Sequence, residues 1–145
     1  MTDAHTRTQR ITIQYTYPAH EPRASDPHYR VFNAARRRLE RLGALTCWIG
    51  NQDCSQEPIE LHHSTVEFSL ANIVDVQHFE QLYPEFHIVS DEDFLTWIEG
   101  EGNLLPLCPM HHRGVLGIHS ISYPGWQVQR FMRAGVTAPE RKITG

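Results

Sequence analysis

Apolar and polar residues alternate near the start of the chain, where Ile11, Ile13, Tyr15 and Tyr17 interleave with Thr12, Gln14 and Thr16. A period of two predicts a strand with one buried face. Pro18, Pro22 and Pro27 follow among small and polar residues and predict a connecting loop. From about residue 28 to 42 the period becomes helical. Val31, Phe32, Ala35, Leu39 and Leu42 fall on one face, and Arg36, Arg37 and Arg41 lie mostly opposite. Gly43 suits the position just past the helix end. Residues 59–63 predict a strand that ends in paired histidines, and residues 104–107 predict a second strand. Pro109 fits the first position of a helix carrying His111 and His112. Between the strands, residues 64–102 make a long excursion with two helical patterns. One spans residues 75–83. The other spans residues 91–99, with Ser90 as cap, three acidic residues in its first turn and Gly100 at its end. A last helix is expected over about residues 126–134, with Arg130 and Arg133 exposed.

Composition narrows the class. A chain of 145 residues predicts one domain. Residues 1–27 read as an N-terminal arm with a strand and a Pro-containing loop, and residues 28–145 as the domain proper. There is no signal-peptide pattern and no run approaching the roughly 18 apolar residues of a membrane span. Three cysteines without such a leader point to free thiols in a reducing cytoplasm, bacterial or host-cell, and away from a disulfide framework.

The formal net charge is −4, but the charge is segregated. Residues 42–112 contain no Lys or Arg and twelve Asp or Glu, whereas residues 1–41 hold eight Arg. Basic ends of this kind can converge on phosphates while the acidic middle faces away. An Arg-rich solvated helix face is the plain alternative.

The chemistry lies in the histidines and cysteines. Cys47 and Cys54 precede Glu60-Leu61-His62-His63, and Asn103 precedes Leu107-Cys108-Pro109-Met110-His111-His112. Thiolate and imidazole are the side chains that bind transition metals best, so their clustering around two short apolar segments predicts a metal site. Adjacent strand residues point to opposite faces, so His62 and His63 are expected to do different work, with Glu60 on the His62 face.

This ordered set resembles the HNH endonucleases, the His-Asn-His nucleases with a ββα-metal active site. The resemblance covers roughly residues 47–63 and 103–119. Its strongest element is the spacing that puts His112 nine residues after Asn103. Two departures stand out. The upstream pair is C-x6-C, not the usual C-x2-C, and His111 replaces the second Cys of the downstream pair. Cys3His is nevertheless a standard zinc set.

The resemblance implies an α+β fold with a ββα-metal core, a structural zinc site and additional helices. It implies structural Zn2+ on Cys47, Cys54, Cys108 and His111. It implies a catalytic divalent metal (Mg2+, Mn2+, Ni2+ or Zn2+) on His62 and His112. His63 matches the general base and Asn103 the residue that orients the site loop and the base. Glu60 is expected to orient His62. His119 is a further candidate ligand if the chain bends back after Gly114 and Gly117. The implied activity is metal-dependent DNA endonuclease or nicking activity, leaving 5′-phosphate and 3′-hydroxyl ends. Arg36, Arg37, Arg41, Arg130 and Arg133 are the expected phosphate contacts on the DNA partner. The excursion and C-terminal segment resemble phage-encoded HNH proteins, which implies a phage or mobile-element origin.

Two rival readings are a non-catalytic zinc module that binds nucleic acid or protein, and an effector that binds a host protein through the 64–102 excursion, with Phe94 and Trp97 at the interface. His5, His20, His28, His78 and His87 match no pattern and read as ordinary.

Overall fold

A computed structural model describes residues 22–136 continuously, with residues 16–19 and positions 3, 5, 6, 8, 12 and 14 before them. Ile11, Ile13 and Tyr15 of the expected first strand lie outside the described residues. The described residues form a mixed helical fold around one two-stranded antiparallel sheet. No helix among them is long and apolar enough to cross a membrane.

Helix α1 spans Tyr29–Arg41. Phe32, Ala35 and Leu39 pack on Leu61 and Leu104 of the sheet. Gly43 follows at φ 67°, a left-handed turn that glycine adopts without strain. Leu42 departs from the expected apolar face. It sits beyond the last helical residue and is 71% exposed.

Strands β1 (Glu60–His63) and β2 (Leu104–Leu107) pair in register, with Glu60 opposite Leu107 and His63 opposite Leu104. One face of this ribbon meets α1. The other meets α4 (Pro109–His112) and α5 (Tyr123–Val128), where Leu107, Ile49 and Trp126 form a second core.

The excursion folds on a core of its own. Helices α2 (Val76–Leu82) and α3 (Asp91–Ile98) bury Phe79, Phe94 and Ile98 together with Ala71 and Ile88. Each helix starts where a side chain accepts a hydrogen bond from an otherwise unpaired N–H. Asp75 takes the His78 N–H at 3.0 Å and Ser90 takes the Asp93 N–H at 3.1 Å, caps that stabilise by about 1 kcal/mol each. Phe94 is buried, and Trp97 packs among Phe79, Phe86 and Phe94. Phe94 belongs to the core and Trp97 packs half-buried against it.

The last helix also differs from its expected span. It begins at Tyr123, with Pro124 in its first turn, and gives way to a 3-10 turn over Gln129–Phe131. The reason is Gln129, whose buried amide donates to the carbonyls of Leu116 and Trp126 and draws the chain inward.

Candidate metal centres and the histidine pair

Strand alternation divides the site. Glu60 and His62 face α4, whereas Leu61 and His63 face α1. On the α4 side His62 meets His112 and His119. Ring centroids lie 5.2 Å apart for His62 and His112, and 5.0 Å apart for His62 and His119. One ring nitrogen from each residue lies within 4.8 Å of the others, a spacing that could hold a metal ion.

The three rings converge because α4 ends in a tight return. Ile118 and His119 donate backbone hydrogen bonds to the carbonyls of His111 and His112 at 3.1 and 3.2 Å. Gly117 permits this approach, since a Cβ there would stand 2.5 Å from the His112 carbonyl oxygen. The bend that would bring His119 back is therefore present.

The protonation pattern suits metal ligation. Burial, reinforced by the neighbouring His112, His119 and His63, pushes the His62 pKa down to about 4, so the ring is neutral at pH 7. Burial also lowers the pKa of His119, with His112 adding to the effect. His112 Nδ1 lies 3.0 Å from Glu60 Oε1, so Nδ1–H donates to Glu60 and Nε2 carries the lone pair. That Nε2 lies 3.2 Å from His119 Nε2. Glu60 was expected to orient His62. Its carboxylate instead holds His112 and Arg113, whose Nε lies 3.1 Å from both oxygens. The cause is the packing of α4, which brings His112 and Arg113 at its end against Glu60. Burial works against the Glu60 charge, but these two partners outweigh it and lower the carboxyl pKa.

On the opposite face, His63 is held by a residue the sequence reading did not single out. His63 Nε2 lies 2.5 Å from Glu99 Oε1, and Glu99 is 1% exposed. Arg23 donates from Nε to the other oxygen at 3.2 Å, and its guanidinium lies 3.9 Å from the centroid of Phe32. Phe32 in turn stacks on His63 at 6.0 Å, and Phe68 lies on a further side at 6.4 Å. The sequence carried one hint. Glu99 is an acid at a helix C-terminus, where the macrodipole disfavours it.

Asn103 is fully buried and its side chain makes four hydrogen bonds. Its Oδ1 accepts from the backbone N–H of Thr65 and Val66 at 2.9 and 3.0 Å, and its Nδ2 donates to the carbonyls of Val66 and Ile98 at 2.9 Å. It fixes the loop that leaves His63 and joins it to the end of α3. It makes no hydrogen bond to His63 itself. A cavity of about 300 Å³ opens beside the pair, lined by His62, His63 and the loop through Glu67 to Val74.

The cysteine cluster is separate. Cys47, Cys54, Cys108 and His111 could hold a metal ion such as zinc. The Sγ atoms of Cys47, Cys54 and Cys108 lie 3.7, 3.7 and 3.2 Å from His111 Nδ1. One imidazole nitrogen offers one lone pair, so three thiols cannot all be satisfied by hydrogen bonds to it. Tetrahedral zinc, with bonds of about 2.3 Å to sulfur and 2.0–2.1 Å to nitrogen, puts sulfur and nitrogen about 3.6 Å apart. The observed spacings scatter around that edge length.

The remaining atoms agree with such an ion. His111 Nε2 and Gln129 Oε1 are both buried without an assigned hydrogen bond, and an interaction of the Gln129 side chain works against the burial that lowers the His111 pKa. An ion on Nδ1 would leave Nε2 protonated, as a donor for Gln129. Without an ion, burial pushes the Cys54 thiol up to about 12. Burial also disfavours the Cys108 thiolate, but the backbone N–H groups of His111 and Ser55 beside it prevail and lower its pKa.

The arginines divide by position. Arg36 points inward and donates to the Ile59 carbonyl at 2.8 Å, which ties α1 to the chain entering β1. Part of the guanidinium expected at phosphate is therefore engaged inside the protein. Arg37 and Arg41 are exposed, and Arg30, not singled out in the sequence, extends their stripe at helical spacing. Arg130 is exposed and lies 4.2 Å over Trp48, and Arg133 is exposed. His28, read as ordinary, bridges Asp26 at 2.7 Å and Glu92 at 2.8 Å. Comparison with protein-family models, with curated proteins and with solved structures finds no match for this chain.

Proposed function

We propose that this protein is a metal-dependent DNA endonuclease or nickase of the HNH type, built on a ββα-metal core formed by β1, β2 and α4. The observation that carries the reading is the convergence of His62, His112 and His119 on one face of the ribbon, with His63 on the next residue of the same strand. A non-catalytic zinc module needs only the cysteine cluster and gives no reason for the second constellation.

In this reading the cysteine cluster binds zinc and fixes the start of α4, and His62, His112 and His119 hold a divalent cation. When bound, that cation supplies positive charge against the oxygen that leaves as the phosphodiester breaks. His63 takes the proton from the attacking water, a task that suits an imidazole near neutral pH. Asn103 keeps the loop after His63 rigid, so the base stays where β1 delivers it. The exposed arginines of α1, with Arg130 and Arg133, attract the DNA backbone without choosing a sequence.

The test is plasmid nicking by zinc-loaded protein with Mg2+, Mn2+, Ni2+ or Zn2+, beside His63→Ala. The parent is expected to nick, and His63→Ala to be slower by about 10²–10⁴-fold. Equal rates would remove His63 from the mechanism. An inert parent with zinc still bound would favour the zinc-module reading.

A further inference from the structure

We infer that Glu99 is a positioning residue that locks His63 in one tautomer, with its proton on Nε2 and its lone pair on Nδ1. The inference rests on the nuclease reading only for its catalytic meaning. The tautomer itself follows from the hydrogen bonds.

An ionised carboxylate can only accept hydrogen bonds. Glu99 faces the Arg23 Nε through Oε2 at 3.2 Å and more distantly through Oε1 at 3.4 Å, and faces His63 Nε2 through Oε1 at 2.5 Å. His63 must therefore donate from Nε2, and a neutral ring then keeps its lone pair on Nδ1. His63 Nδ1 makes no hydrogen bond among the described residues, and His63 lines the cavity beside the three-histidine cluster. The ring is also held laterally by Phe32 and Phe68. When Nδ1 takes a proton from water, the positive charge on the ring lies against a carboxylate already in place. This is the role of the buried acid in hydrolytic triads, where it orients the imidazole and is not itself protonated.

Arg23 makes the arrangement one-directional. It has only donors, so whatever occupies position 99 must turn an acceptor toward it. Glu99→Gln therefore has a specific consequence. Oε2 is the nearer oxygen to Arg23, at 3.2 against 3.4 Å, so the amide oxygen is expected there and the amide NH2 at His63. His63 Nε2 must then accept, which moves the ring proton to Nδ1 and removes the lone pair from the site. The substitution changes one heavy atom and little shape.

The experiment uses the zinc-loaded full chain. Long-range proton–nitrogen NMR spectra report the His63 tautomer in the parent, Glu99→Gln and Glu99→Asp, and plasmid nicking is measured for the same samples and for His63→Ala. The parent is expected to show the Nε2–H form and Glu99→Gln the Nδ1–H form. Nicking by Glu99→Gln is expected to fall about 10²–10⁴-fold, with KM for DNA and divalent-cation affinity within about twofold. Glu99→Asp keeps a carboxylate and is expected to keep the Nε2–H form and recover at least about a tenth of the parent rate. A parent already in the Nδ1–H form overturns the inference, even if Glu99→Gln does not fold. So does Glu99→Gln nicking at the parent rate while His63→Ala is inactive, and in that case the nuclease reading survives. A parent that never nicks sinks the nuclease reading, and the catalytic role of Glu99 with it.

Discussion

Replacing Gly117 with alanine should dismantle the three-histidine cluster without touching any of its histidines. A Cβ at residue 117 would stand 2.5 Å from the His112 carbonyl oxygen, 2.7 Å from its carbonyl carbon and 2.9 Å from the Arg113 nitrogen. All three are backbone atoms, so no side chain can swing aside. Ordinary contact lies near 3.5–4.0 Å, so the return after α4 must open by about 1 Å. The hydrogen bonds from Ile118 and His119 to the carbonyls of His111 and His112, now 3.1 and 3.2 Å, would stretch past useful length. His119 moves with them.

Metal sites tolerate deviations of only about 0.2 Å, so a displacement of this size removes a ligand. The expected loss of affinity for Ni2+ or Mn2+ is at least tenfold, comparable with or greater than the roughly 10–100-fold cost of losing an outer partner. Forcing a methyl into a packed turn should also cost about 1–3 kcal/mol of stability. The assays are calorimetric titration of zinc-loaded protein with Ni2+ and thermal unfolding without added cation. His119→Ala separates the two effects. His119 is the most exposed of the three histidines, so its loss should weaken the site yet shift stability by no more than about 0.5 kcal/mol. If Gly117→Ala binds Ni2+ as the parent does, the turn is not what places His119.

Two other outcomes are expected. Protein purified without added metal should carry one equivalent of zinc by elemental analysis, and a strong chelator should unfold much of the domain, because metal binding and folding are coupled; under half an equivalent in well-folded protein would defeat the cysteine-cluster assignment. His28 gives a pH dependence. Burial alone would lower its pKa, but bonds and charges from Glu92 and Asp26 raise it above 6.5. A raised pKa means the bridge stabilises fully below the unfolded value of 6.5 and fades as pH rises through the folded value. His28→Gln should therefore cost about 1 kcal/mol at pH 5.5 and markedly less at pH 8.5, read by thermal unfolding. A cost that grows with pH would contradict the bridge.

Much of this arrangement was legible in sequence because short-range rules govern it. Strand alternation separates His62 from His63, Pro109 starts α4, and Ser90 caps the second excursion helix. What escaped has long-range causes. Glu99 stands 36 residues from His63 and Arg23 stands 76 from Glu99, and nothing in a linear pattern pairs them. Arg36 sits on the polar side of a helical wheel, yet its guanidinium reaches the Ile59 carbonyl, because a long side chain can cross from the flank of a helix to a neighbouring backbone. Glu60 was placed on the correct face but given to the wrong histidine. The pleat specifies a face, and only the packing of α4 decides which ring on that face is nearest.

The two candidate metal centres are not independent. Cys108 precedes α4, and His111 and His112 are its last residues, so four helical residues serve both clusters. A helix of that length has no stability of its own in water. Here it is fixed by the Trp126 indole, which donates to the His111 carbonyl at 2.7 Å, and by the side chains gathered around His111 Nδ1. Neighbouring residues on a helix point in different directions, so His111 reaches the cysteines while His112 turns to Glu60 and His62. Losing an ion from the cysteine cluster should therefore release His112 as well. Chelation that empties the zinc site should abolish Ni2+ binding at the histidines, whereas His112→Ala should leave zinc in place. That asymmetry follows from the order of support, in which the cysteine cluster holds the helix and the helix presents the histidine.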